Sequence, residues 1–102
     1  MSEQSLPIAC TLSDSELRER RETVLQKVRS AVSGVKEIEN GYALEFASGG
    51  DVIMELAHLI DLEHRCCTFL KFQLTVEPGE GVVRLDLTGP EGTKDFLSEV
   101  FN

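Results

Sequence analysis

The chain has 102 residues, 41% of them hydrophobic and 27% charged, with 18 acidic against 10 basic residues and a formal net charge of -8. That is the balance of a single globular domain with one modest core, not the low-hydrophobicity, high-charge signature of disorder. The carboxylate excess argues against a surface built for nucleic acid or anionic lipid, because such binding depends on Lys and Arg displacing counterions.

Residues 1–9, polar with a proline at position 7, read as a loose lead-in, and 10–102 as one domain. The opening MSEQSLPIAC lacks the charged start and apolar segment of a secretory signal, and no apolar run is long enough to span a bilayer. The expectation is a cytoplasmic protein whose thiols stay reduced. Its three cysteines, an odd number, do not suggest a disulfide framework.

The first element is a helix. Ser13 with Glu16, and more weakly Thr11 with Asp14, form overlapping capping patterns. Leu17, Val24, Val28 and Val32 recur at helical spacing, widened by Leu25 and Ala31, and Gly34 stands where a C-terminal glycine cap would. Arg18, Arg20 and Arg21 alternate with Glu16, Glu19 and Glu22, which reads as a solvated face laced with ion pairs.

VKEIENGYALEF then predicts a hairpin turning at Asn40-Gly41, with both residues at positive φ and with Tyr42, Leu44 and Phe46 on one face. After Ser48-Gly49-Gly50, a second helix is expected from Asp51 to about Cys66. Val52, Leu56, Leu59, Ile60 and Glu63 lie on its apolar face, and His58, Asp61 and Arg65 on the other. A second hairpin follows, with Leu70, Phe72, Leu74 and Val76 inward, a loose EPGEG turn, and Val83, Leu85 and Leu87 returning. A last helix is expected to start with Pro90 in its first turn and run through KDFLSEVF. The predicted fold is α+β in the order α-ββ-α-ββ-α: a two-layer sandwich of a four-stranded antiparallel sheet with the helices on one face.

The stretch LEHRCCTF, residues 62–69, is the most pointed chemically. Two adjacent helical cysteines diverge by about 100° and do not face one another unless the helix ends between them, and the strand pattern resuming by Phe69 predicts that end. Cys67 falls one turn beyond Glu63 on the apolar face, where a carboxylate must be paired, protonated, hydrogen-bonded or bound to a cation. Cys10 precedes the first helix, whose positive end favours a thiolate. Were the first two helices packed together, Cys10, Glu63, Cys66 and Cys67 would form one cluster, with His64 at its flank as a further donor. Such donors suit zinc, copper(I) or another soft ion, or thiol redox chemistry with Cys10 attacking and one of the pair resolving. No C-x-x-C or paired zinc spacing is present. The competing explanation is that free cysteines fill the helix-to-strand corner as small hydrophobes. TGPEGTK at 88–94 reads as a turn and cap; it lacks the lysine placement of a phosphate loop.

ACTL at 9–12 ahead of the RERR helix, LEHRCCTFLKFQL, and LTGPEGTKDFL together resemble a family of small, functionally uncharacterised bacterial proteins with C-T-L, E-x-x-C-C-x-F and T-G-P-x-G-x-K blocks. The resemblance runs from about position 9 to 98. It implies that Cys10, Glu63, Cys66 and Cys67 belong to one pattern, and it implies no activity. The sequence thus leads to a small cytosolic protein that binds a soft metal or carries out thiol chemistry at these four residues, without a recognisable enzyme motif. The alternative is a non-catalytic interaction domain, such as a homodimer through the polar sheet face or a strand edge, with a small-molecule site between helices and sheet as a third reading.

Overall fold

The computed structural model describes residues 15–47, 49–79 and 81–101. Its elements are α1 (Ser15–Ala31), β1 (Val32–Ile38), β2 (Gly41–Ala47), α2 (Val52–Cys66), β3 (Lys71–Val76), β4 (Val82–Thr88) and α3 (Thr93–Phe101). The expected order α-ββ-α-ββ-α holds. Each hairpin pairs with itself, and the two join through β2 and β4, so that one antiparallel sheet runs β1-β2-β4-β3.

Strand alternation decides which face is covered. Leu44 pairs with Leu85 and Phe46 with Val83, and all four are buried in one cluster with Val24, Leu25 and Val28 of α1, with Leu56, Leu59 and Leu62 of α2, and with Leu97 of α3. The opposite face carries Lys36, Glu45, Arg84 and Asp86, with Lys36 to Glu45 at 3.5 Å and Arg84 to Asp86 at 2.8 Å. One apolar and one salt-laced face give the two-layer sandwich. α1 and α2 pack together over it. Arg29 of α1 donates to the Val100 carbonyl at 3.1 Å, satisfying one of the acceptors that the end of α3 leaves open.

The capping residues Thr11, Ser13 and Asp14 lie outside the described residues. Four details differ from the sequence reading. α1 stops at Ala31, and Gly34 is inside β1 rather than capping the helix; the register shifts between Val32 and Gly34, and a Cβ at 34 would sit 3.1 Å from the Glu45 carboxylate. The first turn is Glu39-Asn40, one residue earlier than predicted, with Ile38 facing Gly41 and only Asn40 at positive φ, 63°. Gly41 serves close approach instead, since a Cβ there would lie 1.8 Å from the Leu87 carbonyl oxygen. Val76, expected inward, is 54% exposed at the end of edge strand β3. Pro90 precedes α3 rather than opening its first turn, and its carbonyl accepts from the Thr93 hydroxyl at 2.6 Å. Among the described residues no helix is long and apolar enough to cross a membrane.

Candidate functional site

α2 brings the octapeptide to the core by ordinary helical periodicity: Leu56, Leu59, Leu62, Glu63 and Cys66 form its buried side. The helix ends at Cys66, as expected from the strand pattern that follows. Cys67 is the first residue beyond it, with φ -115° and ψ 79°, and its N–H still donates to the Glu63 carbonyl at 2.6 Å. Its own carbonyl accepts from Leu70 at 3.1 Å, closing the corner into β3. Phe69 holds that corner against α3, its ring meeting Phe96 edge-on with centroids 5.0 Å apart.

This break in the helix reverses the divergence of the two cysteines. With Cys67 off the helical backbone, its sulfur lies 3.6 Å from that of Cys66, and both residues are wholly buried. They differ chemically. Cys67 is a free thiol, whereas Cys66 is disulfide-bonded. The expectation that all thiols stay reduced therefore does not hold at Cys66. Cys10 lies outside the described residues.

Glu63 is the companion of Cys67, as the one-turn spacing predicted. The thiol donates to Glu63 Oε1 at 3.4 Å. Glu63 is only 2% exposed, and its charge is met by Arg21 of α1, whose Nε donates to Oε2 while Nη2 reaches Oε1 at 3.3 Å. A fork-on-carboxylate arrangement of this kind is the strong form of ion pair. Burial works against the Arg21 guanidinium, but the hydrogen bond to Glu63 and the surrounding negative charge outweigh it and raise its affinity for its proton. His64 and His58 are exposed, so His64 does not join the buried cluster.

Arg21 is the residue that the sequence reading missed. It was grouped with Arg18 and Arg20 as part of a solvated face, which is where those two stand, both exposed. Arg21 falls four residues after Leu17 and four before Leu25, in the middle of the apolar stripe of α1. An arginine in the apolar stripe of one helix and a glutamate in that of the next was the available signal.

Burial pushes the Cys67 thiol up to about 12, with the Glu63 charge and the hydrogen bond to Glu63 adding to it and Arg21 pulling the other way. A raised thiol pKa in the folded state means that the native protein keeps a proton the unfolded chain has lost. This contribution to stability is whole below the ordinary thiol value of roughly 8.5 and is lost as pH rises through about 12. Wild-type unfolding free energy should therefore fall more steeply with alkaline pH than that of Cys67→Ser, measured by urea denaturation across that window. Parallel curves would show that Cys67 is not held protonated.

Among the described residues, no group of three or more His, Cys, Asp or Glu side chains is arranged to hold a metal ion. No family model matches the chain, and neither a curated protein nor a solved structure matches it.

Proposed function

We propose that this protein carries out thiol–disulfide chemistry at Cys66 and Cys67, with Cys10 as the third sulfur. The observation that carries the reading is a free, buried thiol 3.6 Å from a sulfur already in a disulfide. The chain has three cysteines, and Cys10 is the partner proposed for Cys66. Oxidation by a small disulfide such as oxidised glutathione proceeds in two exchanges. One protein thiolate attacks the oxidant and expels one glutathione thiolate; the second protein thiolate then attacks the mixed disulfide and expels the other. Two electrons pass to the oxidant, and the two thiol protons end on the two glutathione molecules. The resemblance to a family whose blocks contain Cys10, Glu63, Cys66 and Cys67 supports treating them as one unit in a cytosolic protein.

Soft-metal binding by the same four residues has weaker support. Both oxygens of Glu63 already accept from Arg21, and one also accepts from Cys67. A cation would have to displace the guanidinium to use that carboxylate.

Thiol counting tests the reading. Protein treated with oxidised glutathione and then denatured without reductant should titrate one thiol per chain, rising to three on reduction. Tryptic digestion should link fragment 1–18 to the fragment CCTFLK, 66–71. Three titratable thiols in the treated protein would refute the proposal, and stoichiometric zinc in freshly purified protein, lost in Cys67→Ser, would replace it with the metal reading.

A further inference from the structure

Three features of the Cys66–Cys67 corner go beyond a static disulfide. The free sulfur is 3.6 Å from the bonded one, close to the separation of about 3–3.5 Å from which reacting atoms proceed. Cys67 is released from helical backbone geometry by its place beyond the end of α2. Its proton is directed at Glu63, which in turn is clamped by Arg21. An ordinary structural disulfide requires none of these.

We infer that Cys66 and Cys67 form a two-position disulfide switch, in which Cys67 can displace the sulfur now bonded to Cys66, and that Glu63 and Arg21 are positioning residues setting how readily it does so. This rests on the thiol–disulfide reading above. The step conserves electrons: once the Cys67 proton has left to solvent base, its thiolate attacks the Cys66 sulfur. A bond between the neighbouring cysteines forms, the bond from Cys66 to its former partner breaks, and that partner leaves as a thiolate and takes up a proton. No external oxidant or reductant is consumed. The product is a disulfide between adjacent residues, and the former partner becomes the free thiol.

Among the described residues, the charged groups acting on Cys67 are Glu63 from α2 and Arg21 from α1. They act in opposite senses. Glu63 accepts a hydrogen bond from the thiol and opposes the thiolate by its charge, so it holds the displacement off. Arg21 favours the thiolate by its own charge while fixing Glu63 in place. If the carboxylate is neutralised, the guanidinium is left facing the sulfur.

The test follows the oxidised full-length protein in reductant-free buffer near neutral pH. Samples are quenched in acid, blocked with N-ethylmaleimide and digested with trypsin. Two forms of fragment 66–71 are expected: one linked to another fragment, and one bridged internally, two hydrogens lighter than the dithiol. Glu63→Gln should speed their interconversion by about three- to tenfold, because a roughly ten- to hundredfold rise in thiolate is partly offset by its weaker nucleophilicity. Arg21→Gln should slow it. Glu63→Asp, which keeps the charge, should stay near wild type and serves as the second arm if Arg21→Gln does not fold. The inference is overturned if the internally bridged fragment never forms, if Glu63→Asp is as fast as Glu63→Gln, or if Glu63→Gln and Arg21→Gln both accelerate exchange, as simple loosening of the structure would. Linked fragments without the internal bridge would sink this inference alone. The absence of any linked fragment would end the thiol–disulfide reading itself.

Discussion

Arg21→Ala will destabilise the fold by about 3–5 kcal/mol, the usual cost of leaving one partner of a buried ion pair uncompensated. Set against a total of roughly 5–15 kcal/mol for a domain, that is enough to unfold much of the population near body temperature. The reason is specific to this pair. Glu63 is 2% exposed and cannot turn to water, and its only countercharge among the described residues is the guanidinium fork. Glu63→Leu alone should be similarly harmful, because it strands the arginine. Replacing both, Arg21→Leu with Glu63→Leu, should recover most or all of the loss, since well-packed apolar side chains often do as well as a buried pair or better. Urea midpoints of the two single variants and the double variant give the coupling directly. An Arg21→Ala cost below about 1 kcal/mol would place the pair among solvated surface bridges and contradict its burial.

Phe46→Ala is the second large effect, expected at about 3–5 kcal/mol. Phe46 is fully buried, faces Val32 on one neighbouring strand and Val83 on the other, and stands in the cluster shared by sheet and helices. Its loss removes apolar burial and leaves a cavity between layers that the paired strands on both sides keep from collapsing. The transition midpoint should drop while the dependence on denaturant stays constant, because the surface exposed on unfolding hardly changes. Val76→Ala, on the same face of the sheet but 54% exposed, is the internal control and should cost little. A comparable loss at both positions would mean that the helices do not cover the sheet as described.

The order of elements and the covered face were legible because period 2 and period 3.6 are written plainly in Tyr42-Leu44-Phe46, Val83-Leu85-Leu87 and the apolar side of α2. The joining of the hairpins through β2 and β4 was not legible, since both hairpins present an apolar face and nothing local says which strands become edges. Gly34 misled for a physical reason: α1 passes into β1 without a loop, so a glycine that belongs to an irregular strand start falls at the spacing of a helix cap. At the site, Glu63 with Cys67 followed from helical spacing alone. The approach of the two sulfurs depended on where the helix ended, and Arg21 was hidden by its sequence neighbours, because two exposed arginines beside it made one surface cluster the simpler reading.

Cys67 is also a structural joint. Its N–H completes the last turn of α2, and its carbonyl receives the Leu70 N–H immediately before β3 begins. A change in its backbone angles cannot stay within the corner: it loosens the end of the helix on one side and the entry to an edge strand on the other. One residue buried in the core thereby ties the end of a helix to the entry of an outer strand.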